Sequence, residues 1–416
     1  MTIEYNWAGN YGYRAERIAT PRSLDEARDI VTTSRLVRPL GSRHSFNDLP
    51  DTDGVLVSLA GMPQQFEVDL DWRTVTVAGA MRYGDVARLL NEAGWALHSM
   101  ASLPHISIAG AIATATHGSG NRLGNLATAV RGLEILTADG ELRSLTRGDP
   151  EFAGAVVSLG ALGLVVSVTL DIQPSFEVSQ RIFENLPWAV ALEHFDSVSS
   201  SAYSVSLFTD WSEESIGQVW LKARVDEASA IGDTLFGATA ATEPLHMIRG
   251  ISPENATEQL GVGGPWHERL PHFRLAFTPS NGEEIQSEYL VPRRFAAAAI
   301  EAMRGLAGRI TPILQISEIR TVAADELWLS TAYGEDAVCL HFTWVRDQDA
   351  VEALLPAIED ALAPFGARPH WGKVFIDRHA VVPSLYPQLD DFRDLVLRYD
   401  PNRVFGNAFL ERHIGV

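Results

Sequence analysis

Pro39-Leu40-Gly41-Ser42-Arg43-His44-Ser45-Phe46 and, about sixty residues on, Ala101-Ser102-Leu103-Pro104-His105-Ile106-Ser107-Ile108-Ala109-Gly110-Ala111-Ile112-Ala113-Thr114-Ala115-Thr116-His117-Gly118-Ser119-Gly120 decide how this chain is read. In the first stretch a glycine and a serine follow a strand-like run at 36–40. Their backbone N–H groups can face an anion such as a pyrophosphate, and a nucleophilic imidazole sits in the same turn. The second is a long run of small residues, which lets a backbone approach a large ligand closely. Neither is a G-x-G-x-x-G dinucleotide fingerprint or a P-loop. On residue chemistry alone the two point to a phosphate-bearing cofactor of unidentified kind.

Working outward, Ser23-Leu24-Asp25-Glu26 reads as a capping box opening a short helix through Ile30 and Val31. Residues 55–59, 74–77, 133–137 and 163–170 have strand character. Residues 83–93 place Val86, Leu89, Leu90 and Ala93 at helical spacing, with Gly94 as the stop. Beyond Gln173-Pro174 the texture changes. Longer alternating segments appear at 202–208 and 218–223, then long helical stretches at 292–306 and 350–362. That pattern predicts a sheet covered by helices, an α+β arrangement. The turn-rich tail Asp400-Pro401-Asn402-Arg403-Val404-Phe405-Gly406-Asn407 is expected to return to the first half.

The chain has 416 residues, 46% of them hydrophobic and 21% charged, which fits a globular protein of two domains or one elaborated domain. With 53 acidic and 33 basic side chains the formal charge is -20, so nucleic acid and anionic membranes are excluded as expected partners. The one cysteine, Cys339, cannot form an internal disulfide and lies in an apolar stretch, where a buried inert thiol is expected. No signal peptide is expected from the first residues. No apolar run approaches the roughly 18 residues of a membrane span. A cytoplasmic, monomeric protein is the expectation.

The two opening stretches together resemble the FAD-binding domain of the vanillyl-alcohol oxidase superfamily, the PCMH-type fold, in which a Gly-Ser-x-His-Ser turn carries the flavin. Ser158-Leu159-Gly160-Ala161-Leu162-Gly163 is similar to that domain's later Gly-rich turn. Ala101 to Ser107, Ser317-Glu318-Ile319-Arg320-Thr321-Val322-Ala323, His341-Phe342-Thr343-Trp344 and His370-Trp371-Gly372-Lys373-Val374-Phe375 sharpen the match to bacterial alditol (xylitol) oxidases. Trp7-Ala8-Gly9-Asn10 and the residues 265–273 extend it over essentially the whole chain. One departure is Arg43, where the pattern has Gly.

The resemblance implies a two-domain α+β fold, with an FAD-binding domain at 1–175, to which 374–416 return, and a cap at 176–373 built on an antiparallel sheet. It implies FAD held by Pro39, Leu40, Gly41, Ser42, Arg43, His44 and Ser45, with a covalent link through His44. Ser102, Ser107, Gly110, Ala111, Ile112, Ala113, His117, Val165 and His370 complete the cofactor set. Ala101, small and beside the flavin, leaves room for oxygen. Ser102, Glu318, Arg320, Thr343 and Lys373 would hold the substrate.

The spacing of the polar residues is independently suggestive. Glu318 and Arg320 lie two apart, as do His341 and Thr343, so on a strand each pair shares a face. An acceptor and a fork donor together suit vicinal hydroxyls. The implied reaction is oxidation of a polyol's terminal CH–OH to the aldose with O2 reduced to H2O2. Arg320 and Lys373 would stabilise developing alkoxide. His341 or Lys373 would take the proton, and the sequence does not separate them. Glu318 completes the catalytic set. The alternatives are a sugar-1,4-lactone oxidase or dehydrogenase of the same superfamily, and a non-catalytic flavoprotein. His267 and His272, five apart, lack a completing ligand set and are expected to be structural or pocket-wall histidines, with no metal site.

Overall fold

The strand Val37–Pro39 lies in a small parallel sheet with Val55–Val57 at its centre and Arg17–Ala19 on the other side. Pro39 ends the strand, and Leu40 still bonds from its N–H to the carbonyl of Val57 at 2.8 Å, so the turn that follows leaves the sheet in a fixed direction. Residues 3–212, 214–227, 232–277 and 283–416 are described by the computed structural model. Among them, no helix is long and apolar enough to cross a membrane.

Next to this sheet is a five-stranded antiparallel one, in the order Phe66–Asp69, Thr74–Ala78, Leu164–Asp171, Val130–Leu136, Leu142–Thr146. Val75, Val77, Leu133, Ile135, Val168 and Leu170 alternate into a core that also takes Val86 and Leu90 from the helix Tyr83–Glu92. That helix stops as its sequence implies: Ala93 bonds back to the Leu89 carbonyl, and Gly94 takes the left-handed conformation at φ 81°. Phe392, Leu395, Phe409 and Leu410, from the helices Leu389–Tyr399 and Ala408–His413, fill the same core.

Ser23 caps the helix Leu24–Thr33 by accepting from Glu26 N–H, as a capping box requires. The return bond differs. Glu26 Oε2 accepts from Arg22 N–H at 2.8 Å, one residue before the cap, because the carboxylate reaches outward past Ser23 into solvent.

A ten-stranded antiparallel sheet builds the second core. Its centre runs Glu177–Pro187, Ser215–Arg224, Ser204–Thr209, Leu314–Val322, Ala337–Val345, Glu284–Pro292. Side chains alternate with a period of two. One set (Val219, Leu221, Ile319, Leu340, Phe342, Tyr289) packs under the helices Ala296–Gly305 and Gln348–Leu362, against Ile300, Met303, Val351, Leu355 and Ile358. The predicted stretches at 292–306 and 350–362 are these helices, the first shortened because Pro292 still belongs to the strand Glu284–Pro292 and Arg293–Phe295 form a 3-10 turn before the helix begins. Burying the apolar set on that side leaves the alternate, polar set facing the first core.

Candidate active site

The register of three neighbouring strands sets the polar face. Glu288 is opposite His341, and His341 is opposite Glu318. One step along, Gln286 is opposite Thr343. Arg320 is two residues beyond Glu318, on the same face. All six line one cavity of about 900 Å³, at the upper end of small-molecule sites. Its far wall is the turn 39–46 and residues 105–114.

Glu288 organises this face. Its carboxylate oxygen Oε1 accepts from Arg320 Nη2 at 2.6 Å and lies 3.2 Å from His117 Nε2. Its other oxygen is 3.6 Å from His341 Nδ1. Arg320 Nε approaches Glu318 at 3.5 Å, and Arg320 Nη1 reaches Ser102 Oγ at 3.4 Å. Burial alone would raise both carboxyls. Arg320 outweighs it, with His117 and His341 at Glu288 and His272 at Glu318, and both are held below the ordinary carboxylate range. The two carboxylates hold the Arg320 guanidinium firmly protonated against its own burial. Burial keeps His341 and His370 neutral, with a further push from Lys373 that Glu288 opposes. His341 Nε2 is 3.2 Å from Thr343 Oγ1. Lys373 Nζ donates to Gln286 Oε1. Burial pulls this amine down to about 8, against the opposing charge of Glu288.

His44 faces the same cavity. Trp7 stacks on its ring at 5.1 Å. Its Nδ1 is buried without a hydrogen-bond partner. Burial holds it neutral, down to about 4. Arg43 points elsewhere, pairing with Glu4 at 2.9 Å, and its carbonyl accepts from Trp7 N–H at 2.8 Å. Ser42 Oγ accepts from Ser107 N–H at 3.1 Å. A Cβ on Gly41 would stand 2.5 Å from Ser107 Oγ, and one on Gly110 2.8 Å, so a side chain at either position would have to push the Ser107 hydroxyl aside. Ser107 Oγ is itself buried and unpartnered. A large cavity lined by close-set backbone, with an orphaned hydroxyl and an orphaned neutral imidazole, fits a flavin nucleotide.

The expected residues converge. Of the cofactor set, Pro39 to Ser45, Ser102, Ser107, Gly110, Ala111, Ala113, His117, Val165 and His370 all line the cavity, as does Ala101. Ile112 alone of that set is not among the lining residues. Its side chain is fully buried in the first core, because on a six-residue helix it shares the inward face with Ile108. His272 lines the cavity and His267 does not.

Sequence reasoning missed Glu288 and Gln286. Their signal was present: Glu284, Gln286 and Glu288 alternate with Ile285, Ser287 and Tyr289, but the role of the central carboxylate depends on pairing with strands remote in sequence. Among the described residues, His117, Glu288 and Cys339 bring possible metal-donor atoms within 4.8 Å of one another. Within that trio, Glu288 already has its counter-charge in Arg320 at 2.6 Å.

Residues 15–146 match the family model described as FAD binding domain, and 278–413 that of D-arabinono-1,4-lactone oxidase. The chain is 48% identical over 412 residues to alditol oxidase from Streptomyces sp., spanning 98% of each chain. The chain belongs to the alditol oxidase family. It is an FAD-dependent oxidoreductase, and its α+β fold is that of the PCMH-type flavoproteins. More distant is L-gulono-1,4-lactone dehydrogenase of Mycobacterium tuberculosis, 28% identical over 99% of this chain and 98% of that one. In fold alone, it superimposes on cholesterol oxidase from B. sterolicum with a TM-score of 0.80 at 14% identity, over 99% of this chain and 96% of that one.

Proposed function

We propose that this member of the alditol oxidase family oxidises the terminal CH–OH of polyols such as xylitol and sorbitol to the aldose, with O2 as acceptor. One observation carries the reading: Glu318, Arg320, His341, Thr343, Lys373 and Ser102 converge on the cavity that the flavin-turn residues also line. When bound, FAD supplies the hydride acceptor and the route of electrons to oxygen, which leaves as H2O2.

This chain's own residues do the rest. Residues 1–175 with 374–416 hold the cofactor, and 176–373 hold the substrate. His44, with a free neutral nitrogen, is the covalent attachment point. Glu318, Ser102 and Thr343 accept or donate to the non-reacting hydroxyls. Arg320 and Lys373 stabilise negative charge growing on the reacting oxygen, in a setting where burial strengthens each interaction. His341, neutral and 3.2 Å from Thr343 Oγ1, takes the hydroxyl proton at Nε2. Holding the polyol against both walls supplies much of the rate. The protein acts as a cytoplasmic monomer.

The match of residues 278–413 to the lactone oxidase model supports a second reading, oxidation of a sugar 1,4-lactone. The higher identity to the polyol enzyme favours the first. Xylitol, sorbitol, glycerol and gulono-1,4-lactone offered in parallel to the purified holoenzyme in air separate the two. Peroxide from xylitol and sorbitol but not from the lactone is expected. Peroxide from the lactone alone keeps the flavin site and overturns the polyol assignment.

A further inference from the structure

His272 is engaged through both ring nitrogens. Nε2 lies 2.7 Å from Glu318 Oε1 and Nδ1 lies 3.2 Å from Lys222 Nζ. Lys222, on the strand Ser215–Arg224, is 1% exposed. Its Nζ also donates to the carbonyls of Leu270 at 2.6 Å and Pro271 at 2.8 Å. An ammonium carries three N–H donors and no acceptor. Here three acceptors surround it, so every proton of a charged Lys222 is used. The alternative has a neutral amine accepting from Nδ1–H. It would turn the bare Nε2 lone pair against a carboxylate oxygen at 2.7 Å. Arg320 holds Glu318 ionised, so that arrangement sets two acceptors face to face.

We propose that Lys222 is a positioning residue that fixes His272 as the Nε2–H tautomer, so that His272 donates to Glu318 Oε1 and leaves Oε2 for a substrate hydroxyl beside Arg320. The inference rests on the polyol reading of the site. The same segment also clasps Ser102, whose carbonyl accepts from His272 N–H at 3.2 Å. One buried lysine thus sets two residues that line the substrate end of the cavity.

The charged and titratable groups facing His272 are Lys222 from one strand and Glu318 and Arg320 from another. Phe208 and Trp220 close its flanks with edge contacts at 5.5 and 5.3 Å. Burial and Lys222 together depress the imidazole, to about 4, with Glu318 opposing. In Lys222→Met the donor is gone. A neutral His272 is then free to give its proton from Nδ1 to the Leu270 or Pro271 carbonyl and present a lone pair to Glu318. A protonated His272 still donates from Nε2. The defect is therefore largest where His272 is neutral and shrinks on acidification, and losing the lysine charge moves that titration upward.

Two readouts test this in the holoenzyme. Imidazole nitrogen chemical shifts, with His272 assigned by its loss in His272→Gln, should show the Nε2–H tautomer in the wild type near pH 6, where Lys222 is charged and His272 neutral. The Nδ1–H tautomer there overturns the proposal, whatever the enzyme oxidises. Burial pulls Lys222 down to about 7, with Glu318 opposing, so in steady state Lys222→Met should raise KM for xylitol about tenfold or more near pH 6, where Lys222 is charged and His272 neutral, the order expected for a lost hydrogen bond to a charged group, with kcat changed less. The rise should narrow toward acid pH. A rise of the same size at every pH, or none, overturns the tautomer role. His272→Gln can accept from Lys222 and donate to Glu318, and should keep KM within about threefold, a small fraction of that hydrogen bond's worth. His272→Leu should not, and equal losses in the two count against the proposal. A wild type that oxidises no polyol overturns the reading of the substrate, and the tautomer measurement then decides the lysine by itself.

Discussion

Arg43 holds a backbone conformation, φ 64°, that glycine adopts freely and a side chain does not, at a cost of roughly 1 kcal/mol. Where the resemblance implies Gly, this chain carries a side chain at a physical price, with a visible compensation, the ion pair with Glu4. That pair is solvent-exposed and worth little. Arg43→Gly should therefore raise the melting temperature slightly and leave flavin attachment intact, because the Arg43 side chain points away from His44. A fall in melting temperature in a thermal scan would show that the Glu4 contact outweighs the strain. His44→Ala should leave FAD extractable on acid denaturation, whereas the wild-type protein should retain its colour. Flavin that stays with the denatured variant would place the link elsewhere. His44 and Ser107, which both line the cavity, were singled out from the sequence by local signals, His44 by its turn motif and Ser107 by the run of small residues. The inward turn of Ile112 was not legible, since the facing of so short a helix is decided by what packs beneath it.

The strands carry the polar face, and their alternation was readable wherever both members of a pair were reactive types: Glu318 with Arg320, His341 with Thr343. Glu288 was hidden for the same reason that makes it central, because cross-strand register, not its own neighbours, brings it to His341 and Arg320. Removing this carboxylate strands a buried guanidinium with Glu318 alone. Glu288→Leu should cost on the order of 3 kcal/mol in chemical denaturation. The sign of its pH dependence follows from the depressed carboxyl. The folded state holds Glu288 ionised well below its ordinary value of 4.5, so its contribution is complete above that value and is lost as the pH falls toward the folded one. The gap between wild type and variant should be widest at neutral pH and narrow below about 4.5. A constant gap would mean that packing, not charge, is what the residue supplies.

Across the whole molecule, two cores face each other over one cavity. The α+β class and the covering helices were predictable from periodicity. The parallel pairing of Arg17–Ala19, Val55–Val57 and Val37–Pro39 was not, because three-residue strands carry almost no periodic signal. The return of the tail was suggested only by its turns, and its reason is apolar: Phe392, Leu395, Phe409 and Leu410 complete the first core. Residues as far apart in the chain as Ser102, Glu318 and Lys373 line the same cavity as the His44 turn, the arrangement on which the proposed sharing of one space by cofactor and substrate rests. The most direct test of that account is anaerobic mixing of the holoenzyme with xylitol while the visible flavin band is followed. The band should bleach at a rate that saturates with xylitol, and admitting air should restore it with release of peroxide. A band untouched by xylitol or sorbitol but bleached by gulono-1,4-lactone would contradict it.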